Sequence, residues 1–218
     1  MNSLENALHY PWGEEMPAAG SALQLAPGVV WLRMGLPFVL NHINLWLLRD
    51  DIDGRQGWAA VDTCVDNPQA RAQWEQVIAS EMQGLPLLRV IATHMHPDHL
   101  GLAHWLCDRF SAPLWISTGD FLTARLAVLQ NDSFGGQAAA DFFTHHGMDN
   151  GQVIGTVLDR KDHYAKLVPK LPEQYRRLQD GQLLSIGGRN WRCISGFGHS
   201  PEHMALYCED SSLPQPVL

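Results

Sequence analysis

Thr93-His94-Met95-His96-Pro97-Asp98-His99 packs three imidazoles and one carboxylate into the six positions 94 to 99. The run Leu87-Leu88-Arg89-Val90-Ile91-Ala92 before it is apolar and reads as a buried strand, and a helical pattern reaching Phe110 follows it. Imidazole nitrogen and carboxylate oxygen are ligands that suit zinc, and also iron or manganese. On an extended segment residues two apart point the same way, so His94 and His96 can aim at one metal. Pro97 turns the chain, and Asp98 and His99 beyond it can face a second metal. Histidine-rich tracts that bind metal adventitiously are usually polar and repetitive. This one is neither, and it ends a buried strand.

Working outward, the chain alternates between the two periodicities. Val29–Met34, Asn44–Arg49 and Gly57–Asp62 read as strands, the last two joined by turn chemistry at 50–54. Asp66-Asn67-Pro68 starts a helix, with Ala70, Trp74, Val77, Ile78 and Met82 at helical spacing, and Gly84 and Pro86 stop it. The buried strand and the metal motif come next. A helix is expected over His99–Phe110 and a strand over Leu114–Ile116. Strand and helix alternate from 57 to 116, which predicts an α/β architecture with ligands at the C-terminal ends of strands. Residues 1–24 read as an irregular arm, with Trp12 as a possible pin. Residues 119–175 read as an inserted helical cap, broken by several glycines, of the kind that closes a substrate pocket. Asp180-Gly181 is a turn, and Gln182–Ile186 and Trp191–Ser195 form a hairpin. That hairpin delivers Gly196-Phe197-Gly198-His199-Ser200-Pro201, followed by a strand over Met204–Cys208.

Bulk properties narrow the function. Fifteen Lys+Arg against 23 Asp+Glu give a net charge of -8, which offers no general attraction to nucleic acid or to an anionic membrane. Arg176-Arg177 is a candidate for a local basic patch, and a solvated helix face is the simpler reading of it. With 45% apolar residues in 218, one domain with a real core is expected. Cys64, Cys107, Cys193 and Cys208 are too widely spaced for a thiolate zinc site and read as buried free thiols. The N-terminus lacks a basic start with an apolar run, and no stretch is long and apolar enough to span a bilayer. A cytoplasmic protein is therefore expected.

His199 stands in a glycine-flanked turn after a strand. Together with His94 and His96 it would supply three imidazoles to one metal and leave a position open, the mark of a catalytic zinc. Such a metal lowers the pKa of its water from 15.7 to roughly 7. Asp98 is the candidate catalytic residue, holding that water or shuttling its proton. His42 and His104 read as structural histidines and His145-His146 as exposed. His163-Tyr164 lies within possible reach of a substrate, and His203 reads as a surface residue, with a supporting role near the metal as the alternative.

T-H-M-H-P-D-H followed by G-F-G-H-S resembles the H-x-H-x-D-H signature and third histidine of the metallo-β-lactamase fold superfamily. The resemblance runs in order over roughly 25–209. It implies an αβ/βα sandwich with metals at one edge, a first site of His94, His96 and His199, and a second begun by Asp98 and His99. Asp62 would be a supporting residue beside the metals, although a turn-capping carboxylate reads equally well. The helical insertion resembles the glyoxalase-II-like hydrolases. This implies hydrolysis of a small-molecule ester, thioester or lactone by a metal-bound hydroxide, with one or two zinc ions or with iron or manganese. A phosphodiesterase or nuclease of the same superfamily is the alternative activity. The residues after Cys208 depart from the family pattern, which continues with a Gly-Asp strand and a last histidine. Residues 209–218 carry two prolines and make a poor central strand, and Asp210 lies too early to be the bridging aspartate. The sandwich is therefore expected to be incomplete in its C-terminal half, with a homo-oligomer as a possible cover for the open sheet. A non-catalytic remnant that only binds metal is the competing expectation.

Overall fold

A computed structural model describes residues 7, 12–13, 15–129, 135–160, 162–210 and 218. Seven strands build the main sheet: β1 (Ser21–Ala26), β2 (Val29–Gly35), β3 (His42–Ile52), β4 (Arg55–Val61), β5 (Leu87–Ile91), β6 (Leu114–Ser117) and β7 (Tyr175–Leu178). They lie side by side in chain order. β1 to β4 form an antiparallel meander, and β4 to β7 run parallel. Parallel neighbours need crossovers, and helices supply them. α1 (Pro68–Ser80) joins β4 to β5. α2 (Pro97–Leu100) and α3 (Ala103–Phe110) join β5 to β6. α4 (Thr118–Leu129), α5 (Gly136–His145), α6 (Gly151–Asp159) and α7 (His163–Leu167) lie between β6 and β7. A second, antiparallel sheet holds β8 (Leu183–Ile186), β9 (Arg189–Gly196) and β10 (His203–Cys208), in the order β10-β9-β8.

Two cores show how the layers stack. One face of the main sheet gives Leu32, Leu45, Leu47, Ala60 and Val90 to a core shared with Trp74, Leu106, Phe121 and Val168 of the helical layer. The opposite face gives Val29, Leu48, Ala59, Val61 and Ile91 to a core shared with Leu184, Trp191, Cys193, Met204 and Leu206 of the small sheet. A strand covered on both faces must be apolar at consecutive positions. This explains why residues 57–61 of β4, and all of β5 except Arg89, are apolar at consecutive positions rather than alternating ones. The outer face of the small sheet leaves Leu183 and Ile194 exposed.

An ion pair on the main sheet, bonded in turn to the small sheet, ties the two together. Arg89 of β5 donates from Nε to Asp50 of β3 at 2.8 Å, and both side chains are buried. Arg89 also reaches the Ser185 carbonyl of β8 at 3.2 Å, and Asp50 accepts from the Gly187 N–H at 3.2 Å. The β8–β9 turn, Gly187-Gly188, has φ of 60° and 76°, a left-handed pair that suits a two-residue hairpin. A Cβ on Gly187 would also stand 2.3 Å from the Arg49 carbonyl oxygen.

Several boundaries differ from the sequence reading. The arm expected over 1–24 already contains the start of β1, whose pairing with β2 is satisfied from Ser21 onward. Its residues 1–6, 8–11 and 14 lie outside the described residues. The single helix expected over His99–Phe110 is two. α2 starts at Pro97, whose fixed φ and missing N–H suit the first helical position, and α3 begins only after Gly101-Leu102. A Cβ on Gly101 would lie 2.7 Å from each of Asp66 N, Cys64 O and Leu167 O, where three segments meet. Gly101→Ala is expected to cost about 1–3 kcal/mol through overpacking, read as a lower urea midpoint at unchanged slope. Within 119–175, α4 buries Phe121, Ala124 and Ala127 in the helical core, so it belongs to the covering layer, whereas α6 buries nothing. Arg176 and Arg177 are solvated on the sheet-edge strand β7, not on a helix, where charge discourages edge pairing. In the tail, 211–217 lie outside the described residues, and Leu218 exchanges both backbone hydrogen bonds with Leu206 at 2.7 and 2.9 Å. Asp210 accepts from Arg189 Nε at 3.2 Å.

Candidate metal centre

Three strand ends deliver the site. β5 stops at Ile91 and hands over to Thr93-His94-Met95-His96. β4 stops at Val61 and hands over to Asp62. β9 stops at Gly196 and hands over to the His199 turn. His94 Nε2 lies 3.0 Å from His96 Nδ1 and 3.2 Å from His199 Nε2, and His96 Nδ1 lies 3.1 Å from His199 Nε2. Among the described residues, these three form the group whose ligand atoms converge as a metal would need. Three nitrogens about 2.0–2.1 Å from one tetrahedral zinc stand about 3.3–3.4 Å apart. The observed triangle is that size to within a few tenths of an ångström. The donor set therefore fits one divalent ion, with His94 buried and His199 at the solvent side.

A second layer of polar contacts fixes the imidazoles. Asp62 is buried with φ of 63°, a left-handed conformation that is strained for a non-glycine residue. It accepts from Thr93 N at 2.7 Å, from Thr93 Oγ1 at 2.9 Å and from His99 Nδ1 at 2.7 Å. A carboxylate only accepts, so the single hydroxyl proton of Thr93 goes to Asp62. Thr93 Oγ1, 2.9 Å from His94 Nδ1, then accepts from that nitrogen. This tautomer leaves the His94 Nε2 lone pair facing the other two imidazoles. Asp62 thus both braces Thr93 and His99 and shapes the strand end.

Asp98 and His99 lie beside the triad rather than in it. His99 gives Nδ1 to Asp62 and turns Nε2 toward Asp98 Oδ2 at 3.5 Å. His203 is not a surface residue. It is half-buried, and its ring centroid lies 5.0 Å from that of His94. Its register opposite Gly196 on the paired strand β9 carries it into the cluster. His104 is buried, 3.3 Å from the Gly101 carbonyl and 3.5 Å from Asp66, and plays a structural part. His42 bonds Asn41, and His145 and His146 are exposed and bond the carbonyls one helical turn back. His163 packs near Phe38, ring centroids 6.0 Å apart. Sequence reasoning missed Asp120, and it read Tyr164 only as within reach of a substrate. Asp120 is fully buried and accepts from Met95 N at 2.9 Å, and the Tyr164 hydroxyl donates to the Met95 carbonyl at 2.6 Å. An aspartate in the first turn of a helix reads as an ordinary helix-end charge, so only the tertiary contacts reveal it.

Crowding sets the titration of the cluster. Burial, then the neighbouring imidazoles, hold His94 down at about 2, and burial is also the first cause lowering His96 and His203. His99 moves the other way. Burial lowers it, but the charge and hydrogen bond of Asp62 outweigh that and raise it. A histidine with a depressed folded pKa binds fewer protons than its unfolded counterpart below 6.5. Its contribution to stability is then complete above about 6.5 and is lost as pH falls below that value. His99 contributes in the opposite sense, but it stands against six, because burial also lowers His42, His104 and His163. The metal-free protein is expected to lose stability between pH 7 and 5, read from urea midpoints at the two pH values. An unchanged or higher midpoint at pH 5 would contradict this.

No helix among the described residues is long and apolar enough to cross a membrane. A comparison with curated proteins gives no match. Among solved structures, a β-lactamase domain protein from Burkholderia ambifaria is 45% identical with a TM-score of 0.84, over 95% of this chain and 58% of that one. A metallo-β-lactamase family protein from Thermus thermophilus is 26% identical with a TM-score of 0.63, over 86% of this chain and 57% of that one. TTHA1623, solved in a di-iron-bound form, shares the fold at 22% identity and a TM-score of 0.50, over 81% of this chain and 66% of that one. The chain thus spans somewhat more than half the length of the first two. The sequence profile of the metallo-β-lactamase superfamily matches residues 40–213, and the chain belongs to that superfamily.

Proposed function

We propose that the protein is a metal-dependent hydrolase of a small-molecule ester, thioester or lactone. The observation that carries this reading is the 3.0–3.2 Å triangle of His94, His96 and His199 nitrogens, sized for one ion and open on the His199 side. When bound, the metal supplies Lewis acidity toward a carbonyl and a water acidic enough to attack near neutral pH. Zinc suits three imidazoles, and iron is supported by the di-iron form of one relative. The chain's own residues do the rest. Thr93 and Asp62 hold His94 in the tautomer that points a lone pair inward. Asp98 takes a proton from the attacking water, and its neighbour His99, kept cationic-leaning by Asp62, steadies the carboxylate. The exposed Phe38 and Phe197 offer apolar surface to the organic part of a substrate. The buried free thiols support a reducing, cytoplasmic setting. The glyoxalase-II-like, thioester-cleaving form of this reading rests on the helical insertion between β6 and β7.

The test is turnover by the full chain loaded in turn with zinc, iron or manganese, against a thioester, a lactone, a carboxylic ester and a phosphodiester. Metal-dependent cleavage of one of the first three is expected. Cleavage of the phosphodiester alone, or tight metal binding with no turnover, would overturn the reading.

A further inference from the structure

We propose that Asp120 and Tyr164, both from the helical insertion, are positioning residues that clamp the metal-ligand loops by gripping the two peptide groups of Met95. Met95 stands between two candidate ligands, so any rotation of its peptides swings His94 or His96. Its N–H donates to Asp120 Oδ1 at 2.9 Å, and its carbonyl accepts from the Tyr164 hydroxyl at 2.6 Å. One grip comes from α4 and the other from α7, on either side of the intervening insertion.

The second oxygen of Asp120 reaches the other loop. Asp120 Oδ2 accepts from Glu202 N at 2.8 Å, three residues beyond His199, and from Ser117 Oγ at 3.1 Å. Ser117 Oγ in turn accepts from Asp120 N at 3.2 Å. One fully buried carboxylate thus joins the His94–His96 loop to the His199 loop. Burying a carboxylate costs free energy that an apolar side chain would not. Charge-assisted bonds to two backbone N–H groups offset that cost and fix direction as well as distance. Orienting partners behind metal ligands typically change metal affinity 10–100-fold when removed. Residues from α4 and α7 are therefore part of the support of the metal site.

This inference rests on the metal-binding reading, and the experiment separates the two. Asp120→Asn keeps an oxygen for Met95 N but turns an NH₂ against the Glu202 N–H, which breaks the link to the His199 loop. Tyr164→Phe removes only the bond to the Met95 carbonyl. Zinc affinity by chelator competition and the visible spectrum of the cobalt(II) form are measured for wild type and both variants, with the melting temperature of each metal-free form. Asp50→Asn, at a carboxylate that bonds no histidine, is the control for general destabilisation. The expected result is zinc affinity weakened about 10–100-fold in Asp120→Asn, and by a smaller factor in Tyr164→Phe. The cobalt spectrum is altered in both, while Asp50→Asn keeps wild-type affinity and spectrum. Wild-type affinity and spectrum in both variants would overturn the clamp while leaving the metal site standing. Failure of the wild type to bind either metal would overturn the metal reading, and the clamp with it. If Asp120→Asn does not fold, Tyr164→Phe and Ser117→Ala decide the matter by the same two measurements.

Discussion

Replacing His96 by alanine is expected to empty the metal site. His96 Nδ1 is one corner of the triangle, 3.0 Å from His94 Nε2 and 3.1 Å from His199 Nε2. Without it two imidazoles remain, and no other side chain among the described residues completes a three-ligand group. Loss of an outer partner already costs about 10–100-fold in metal affinity, so loss of a ligand is expected to exceed 100-fold. Metal content after desalting should fall from one ion per chain toward none, and any metal-dependent hydrolysis should fall with it. His96 is only half-buried, so the circular dichroism spectrum should be unchanged. Wild-type metal content in the variant would remove His96 from the site.

Replacing Asp50 by alanine is expected to give the largest loss of stability from a single side chain. The change leaves the Arg89 guanidinium buried without its carboxylate, and leaves the Gly187 N–H without its acceptor. Breaking one partner of a buried pair costs about 3–5 kcal/mol, much of it the cost of stranding the remaining charge. Arg89 keeps the Ser185 carbonyl and the face of Trp115, which softens the loss at the margin. Urea unfolding at constant slope is the measurement. A change under about 1 kcal/mol would show that Arg89 escapes to water and that the two sheets do not depend on the pair. Metal affinity should not move, because Arg89 and Asp50 bond each other, the Ser185 carbonyl and the Gly187 N–H, and neither bonds a histidine.

The sequence carried the strand-and-helix alternation because β4, α1 and β5 have local signatures. Asn67 accepts from Ala70 N at 2.7 Å as a helix cap, Pro68 follows it, and consecutive apolar residues dominate both strands. The His94–His96 and His199 ends were legible for the same reason, since ligands cluster where strands stop. The roles of Asp120, Tyr164 and His203 were not legible. Each depends on a contact with a residue at least 25 positions away or on cross-strand register, and no local pattern encodes such a distance. The break between α2 and α3 was also hidden. Leu100, Leu102 and Leu106 continue an apolar pattern across it, and the break follows from how tightly Gly101 must approach three backbones.

The four cysteines give each half of the molecule its own clock. Cys64 and Cys107 lie in the core between helices and main sheet, and Cys193 and Cys208 in the core between the two sheets. All are free and buried, and burial pushes Cys64 and Cys107 up to about 12 and Cys193 to about 11. A thiol so held reacts with an alkylating reagent only when its surroundings open and the thiolate can form. The order in which the four are trapped, identified by mass, therefore reads out whether the small sheet peels away before the helical layer or whether both let go in one event.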